Sequence, residues 1–246
     1  MSDIQINLHS KTYPAIGQAG FHKAIKDFKL SLKSGEFVCL VGPSGCGKTT
    51  LLNIIADLDK DYEGEILVGL EQAQPKIGYV FQNPRLLPWR TVRENIELVL
   101  EVDQSSANID PLLEVMQLTQ SQHVYPERLS LGMSRRVSII RAFAVDPDVL
   151  LMDEPFVSLD APTARQVRGL LLRLWQARPH TVLFVTHDLR EAIALGDRLI
   201  FLSAAPMTVI TEITVPIPRV DRYDEKAIDV FRQQLLNDYP EIKQLL

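Results

Sequence analysis

The sequence predicts an α/β layered fold with a largely parallel sheet, and three observations predict it. Short β-branched runs alternate with helical patterns along the chain. Val149–Asp153 and residues 182–186 are apolar over nearly their whole length, as strands buried on both faces are. A glycine-rich loop at 42–49 lies between a strand pattern and a helix pattern.

The elements follow in order. Residues 36–41 (EFVCLV) read as a strand, and a helix is expected from about Lys48 to Asp57. Residues 64–70 and 77–81 read as two more strands. From about 83 to 145 helical patterns dominate, punctuated by Pro84, Pro88, Pro111 and Pro126. Thr91 and Glu94 form a capping box ahead of the apolar positions Ile96, Leu98 and Leu100. This is the pattern of a helical subdomain, about 84–145, inserted into an α/β core of about 1–83 and 146–215, with Pro147 returning the chain to the sheet. The tail, 216–246, reads as helical and amphipathic, with Ile228, Phe231, Leu235 and Leu236 on one face.

Composition bounds what such a fold does. The 246 residues carry 26 Lys and Arg against 31 Asp and Glu, a net charge of −5, with 46% apolar residues. That is a globular chain with a full-sized core, not a disordered one. The acidic balance argues against a broad nucleic-acid partner, which needs a basic face. Two cysteines, Cys39 and Cys46, make neither a disulfide framework nor a zinc cluster, so a reducing compartment is expected. The start shows no basic segment followed by an apolar stretch, and no run approaches the ~20 apolar residues that span a bilayer. A cytosolic chain that does not cross a membrane alone is expected.

The loop GPSGCGKT at 42–49 matches GxxxxGK[ST] between strand and helix, where the motif carries weight. Gly42, Gly45 and Gly47, with Pro43, Ser44 and Cys46 between them, let the backbone curl so that successive N–H groups converge on phosphate oxygens. Lys48 would bridge the β- and γ-phosphates, the Thr49 hydroxyl would ligate Mg²⁺, and Thr50 continues the helix start. The apolar strand ending in Asp153 and Glu154 supplies a second acidic site. Asp153 would hold Mg²⁺ and Glu154 would act as general base toward water. His187, after TVLFVT, would help hold the transition state.

Taken together these residues resemble the ATP-binding cassette ATPases over roughly 4–215. Walker A at 42–49, a Q-loop glutamine at Gln82, the signature-like LSLGM at 129–133, Walker B ending in Asp153 and Glu154, a D-loop at 158–160 and the switch His187 stand in the family's order. The resemblance implies a P-loop NTPase (RecA-like) core with an N-terminal antiparallel β subdomain and an inserted helical subdomain. It implies a homodimer holding two ATP molecules, each between Walker A of one copy and the signature of the other. Gln82 would then touch Mg²⁺ and sense a membrane partner. Ser130, Gly132, Met133 and Asp160 would meet nucleotide across the dimer. Tyr13 is the candidate for stacking on adenine, with Phe21 the alternative.

Leu131 and Met133 depart from the family's usual LSGGQ, replacing a glycine and a glutamine. Leu131 keeps its N–H, so an anion site at this helix start survives, and an active but slow ATPase is expected. The segment VFQNPRLLPWRTV at 80–92 is similar to the nitrate/sulfonate/taurine importer subfamily, as are DEPFVSLD at 153–160 and PIPR at 216–219. That likeness implies integral-membrane permease subunits as partners and, indirectly, a periplasmic or extracellular solute-binding protein. Two other readings stay open: the ATPase of an exporter or lipid-transport complex, and a soluble cassette acting on nucleic acid or ribosomes. The latter carries long insertions or two cassettes, and here one cassette spans only the 80 residues from Thr49 to Leu129. The 59 residues after His187 are too few for an appended regulatory domain.

Overall fold

The computed structural model describes residues 3–14, 20–68, 75–100, 109–222 and 224–245. The chain divides into two compact units, Met1–Gln74 with Thr181–Leu246, and Pro75–His180.

In the first unit, β1 (Ile4–Tyr13) pairs antiparallel with β2 (His22–Leu32) and with β4 (Glu63–Val68). Alternation sets the faces of β1: Ile4, Ile6 and Leu8 are buried while Gln5 points out. This is the expected antiparallel subdomain. The strand expected at 64–70 is β4, shifted one residue earlier; its last two positions lie outside the described residues. The second sheet of this unit runs β7 (Thr181–Thr186), β3 (Phe37–Val41), β8 (Arg198–Leu202), β9 (Val209–Thr214). β3 is parallel to β7 and β8, whereas β9 returns antiparallel. Every residue of β3 and β7 is buried, which explains why both read as unbroken apolar runs.

Helix α1 (Lys48–Ile55) stops two residues short of expectation. Asp57 takes a left-handed φ of 58°, and the Leu58 N–H turns back to the Asn53 carbonyl. Helix α6 (Leu189–Leu195) packs against α7 (Glu225–Asp238) of the tail, where Ile228, Phe231 and Leu235 are buried as the amphipathic pattern requires. A last short helix, α8 (Pro240–Leu245), buries Ile242.

In the second unit, β5 (Ile77–Val80) and β6 (Val149–Asp153) pair in parallel. The helices are α2 (Val92–Glu97), α3 (Ile109–Val115), α4 (Leu131–Ala144) and α5 (Ala161–Ala177). The expected capping box is present: the Glu94 N–H donates to Thr91 Oγ1 at 3.3 Å, and the Thr91 N–H to Glu94 Oε2 at 2.7 Å. Leu98 and Leu100 do not continue the apolar face, since α2 ends at Glu97 and tightens into i→i+3 bonds. Leu98 is left half exposed.

Candidate functional site

The glycine-rich loop at 42–49 leaves β3 and closes on α1. Its turn depends on Gly47, which sits at φ 116° with its α-carbon against the Ala24 carbonyl. A Cβ there would lie 3.1 Å from that oxygen, a crowded contact, and would sit at a φ that L side chains rarely adopt. Lys48 folds inward, buried, and donates to the Gly42 and Pro43 carbonyls at 2.8 Å each. The ammonium therefore lies inside the curl of the loop. Cys46 is buried beside it, its Sγ 3.9 Å from Lys48 Nζ, and burial pushes its thiol pKa up, as suits a passive packing residue. Thr49 faces solvent.

The start of α1 differs from those of α2, α4, α5, α6 and α7. α2, α4, α5, α6 and α7 carry side-chain caps from Thr91, Ser130, Asp160, Asp188 and Asp224 respectively. At α1 the capping position is Gly47, which has no side chain to offer. The N–H groups and dipole of this one helix end are suited to an anion brought from outside.

Parallel register brings His187 to this loop. Val41 pairs with Thr186, so Gly42 and His187 are the residues that leave two adjacent strands at the same end. Thr186 Oγ1 donates to Glu191 Oε2 at 2.7 Å and accepts from the Asp188 N–H at 3.0 Å, which fixes the turn that carries His187. Ligand sites of parallel sheets form at such carboxyl ends.

Tyr13, the candidate for adenine, is tied to α1: its hydroxyl lies 3.0 Å from Thr50 Oγ1. Lys11 Nζ sits 4.8 Å over its ring and is held by Asp59 at 2.8 Å. The alternative, Phe21, is 79% exposed. The Lys11–Asp59 support escaped the sequence reading, because a contact across 48 positions leaves no local signal.

The second unit gathers the other candidates. Val80 pairs with Met152, so Gln82 and the carboxylates Asp153 and Glu154 leave neighbouring strand ends together. Asp153 is buried and Glu154 half-buried. Glu154 has a φ of 44° and Ser158 of 66°, left-handed values that non-glycine residues hold only at some cost. Both bracket the loop that leads to Asp160. Asp160 caps α5 through the Thr163 N–H at 3.0 Å and Thr163 Oγ1 at 2.7 Å, and these bonds hold its carboxyl below the usual range.

In the signature-like segment, Ser130 caps α4 by accepting the Met133 N–H at 3.2 Å. Met133 thus contributes its backbone rather than its side chain. Gly132 is pressed on α5, since a Cβ would come within 2.6 Å of Thr163 Cγ2. Leu131 projects outward, 43% exposed, so the departure from glycine costs this chain nothing in its own core.

A groove of about 380 Å³ opens in the same unit, lined by Tyr79, Phe81, Arg85, Leu87, Leu98 and Arg141 among others. Tyr79 and Phe81 stack with ring centroids 3.9 Å apart, and Arg85 lies 3.9 Å over the Phe81 ring. Beside it, fully buried Asn95 clamps the loop at 87–91: it accepts the Leu87 N–H at 2.8 Å, and its NH2 group lies within 3.1 Å of the Leu87, Arg90 and Thr91 carbonyls that share its two hydrogens. That rigid loop presents Trp89, 68% exposed.

Among the described residues no helix is long and apolar enough to cross a membrane, and no cluster of three His, Cys, Asp or Glu side chains could hold a metal by itself. The family model described as ABC transporter matches residues 25–157. The chain is 42% identical over 243 residues to the aliphatic sulfonates import ATP-binding protein SsuB of Bacillus cereus, covering 96% of this chain and 95% of that protein. It is 39% identical over 220 residues to the nitrate import ATP-binding protein NrtD of Synechococcus elongatus, covering 85% and 80%. Among solved structures, the dimeric post-hydrolysis state of the ATP-binding cassette MJ0796 bound to ADP and Pi aligns with a TM-score of 0.74 at 33% identity, covering 87% of this chain and 100% of that one.

Proposed function

The chain belongs to the ABC transporter family, and on that premise we propose that it powers uptake of a small organic or inorganic anion, of the sulfonate or nitrate kind, through a separate membrane permease. It is an ATP-hydrolysing importer subunit; the exporter and nucleic-acid readings are not favoured by relatives that are sulfonate and nitrate import proteins. The observation that carries the ATPase reading is the start of α1, where the glycine of the GKT sequence takes φ 116° and, as the capping residue, makes no side-chain hydrogen bond to the helix N–H groups.

In this reading the loop from Gly42 to Thr50 wraps the phosphates, and Lys48 places its charge on them. Glu154 takes the proton of the attacking water as the γ-phosphoryl group leaves as inorganic phosphate and ADP remains. His187 and, from a second copy, Ser130 and the α4 start stabilise charge on the γ-phosphate. Tyr13 stacks on adenine. The donor set Thr49 hydroxyl, Gln82 amide and Asp153 carboxylate consists of hard oxygens, which fits Mg²⁺. When bound, that ion would neutralise charge on the phosphates. The whole chain serves as one ABC ATPase domain acting as a homodimer, peripheral to the cytoplasmic face of the membrane, with a solute-binding protein reached only through the permease.

The groove beside Tyr79 and Phe81, with the loop bearing Leu87 and Trp89, is our candidate for the permease contact. Reconstitution with the permease and binding protein tests both ideas. ATP turnover is expected to rise when an alkanesulfonate or nitrate is added to the binding protein. Failure of every small anion to stimulate it, with transport of some other solute, would remove the anion assignment. Trp89→Ala and Leu87→Ala should lower solute uptake about tenfold or more, in the range of an interface anchor worth ~2 kcal/mol. Turnover of the isolated chain should stay within about twofold of the parent, since neither side chain belongs to the residues assigned to nucleotide or water. Equal loss of both activities would count against this docking surface.

A further inference from the structure

Helix α4 spends two arginines on backbone carbonyls instead of on carboxylates. Arg135, only 4% exposed, donates from Nη1 to the Gln82 carbonyl and, at 3.5 Å, to that of Phe81. From Nη2 it reaches the Val157 carbonyl at 3.4 Å. One turn and a half further on, Arg141 donates to the Pro84 carbonyl at 2.8 Å and to the Arg85 carbonyl at 3.0 Å. Among the described residues neither guanidinium has a carboxylate partner, and Arg135 Nε is buried without a hydrogen bond. Burial alone holds the Arg135 pKa below its ordinary value.

A buried cation without a counter-ion is an expensive way to fill space. What a neutral side chain does not offer is a rigid planar fork that reaches two chain segments at once. Those segments are the ones that matter to the reaction. Residues 81–85 belong to no strand or helix, and the carbonyls of 81, 82, 84 and 85 accept hydrogen bonds from the arginines of α4 rather than from a ladder of their own. Val157 lies in the loop between the two left-handed residues Glu154 and Ser158. The same helix begins at Ser130.

We propose that Arg135 is a positioning residue for hydrolysis: its fork, backed by Arg141, joins the Gln82 segment and the loop from Glu154 to Asp160 to the signature helix, so that a push on the groove at Phe81 and Arg85 is carried to Ser130 as a single displacement. The inference rests on the ATPase reading for its consequence, but its mechanical part is tested without ATP. In the full chain, Arg135→Met should raise backbone amide exchange in segments 81–87 and 156–160 and leave exchange in β3 and α1 unchanged. Arg135→Lys, which keeps one charged donor, should fall between. In turnover, Arg135→Met should lower kcat about tenfold to a hundredfold, the scale of a misplaced catalytic group, with KM for ATP within about twofold. Partial recovery of kcat is expected with Lys.

Unchanged exchange in both segments would overturn the proposal, as would a uniform rise over the whole chain, which would mark Arg135 as a general stability element. A kcat equal to the parent's, with Lys48→Ala inactive as control, would overturn the catalytic consequence alone. A Lys48→Ala control that hydrolyses ATP at the parent rate would instead refute the ATPase reading and leave the exchange result standing. If Arg135→Met does not fold, Arg135→Lys carries the same comparison.

Discussion

Lys48→Ala is expected to lower ATP turnover by roughly a hundredfold or more, the order seen when one preorganised donor to developing negative charge is removed. The ammonium is buried inside the curl of the loop, 2.8 Å from the carbonyls of Gly42 and Pro43. In the proposed reading it is the one point charge that the loop itself brings to the phosphates, where charge-assisted bonds are about twice as strong as neutral ones. Truncation has a second effect. The two carbonyls lose their donor, and each buried acceptor so orphaned costs about 1–3 kcal/mol. A fall in melting temperature should therefore accompany the loss of activity. Lys48→Met keeps the packed stem and loses only the charge, and Lys48→Arg keeps the charge on a fork that the narrow curl was not built for. Phosphate release and nucleotide affinity, measured beside thermal unfolding for all three, separate the effects. Turnover within twofold of the parent in Lys48→Met would remove the lysine from the mechanism.

How far the site could be read from the sequence follows from where its signals are local. The loop at 42–49 encodes its own geometry, because Gly47 holds a φ of 116° that L side chains rarely adopt and the motif names that glycine. The strands β3, β6 and β7 are buried on both faces, and a residue run with no polar alternation reports that directly. Thr91 and Glu94 announced α2 because a capping box is closed within four residues. Its C-terminal end was not legible: Leu98 and Leu100 continue the apolar pattern, but the backbone tightens after Glu97 and turns Leu98 out. What the sequence hides most completely is support from a distance. Nothing near Arg135 in the chain marks it as the partner of Gln82, 53 positions earlier, and an arginine in a helix ordinarily reads as a solvated face. Asp59, 48 positions from the Lys11 that it holds at the Tyr13 ring, is the same case. The left-handed φ of Glu154 is likewise invisible in a residue type that usually avoids it.

That backbone value bears on the last prediction. Glu154→Gln should bind ATP as the parent does and reduce turnover by about 10²- to 10⁴-fold, the contribution of a positioned general base. Glutamine has the shape of glutamate, so the strained φ of 44° and the loop to Ser158 are kept, and only the proton acceptor is lost. The comparison with Glu154→Gly sharpens this. Glycine relieves the left-handed strain and should hold or raise the melting temperature while abolishing turnover equally, which separates the carboxylate's chemistry from the fold's demand for that conformation. If the chain works as the proposed homodimer closed around ATP, blocking hydrolysis leaves that closed arrangement without an exit. The variant should therefore run as a dimer in gel filtration with ATP and Mg²⁺ and as a smaller species without them, whereas Lys48→Met should stay small in both. The two variants then fail in opposite directions, one unable to hold the phosphates and one unable to let them go. Parent-like turnover in Glu154→Gln would exclude it as the base and direct attention to His187, which shares the strand-end position beside Gly42.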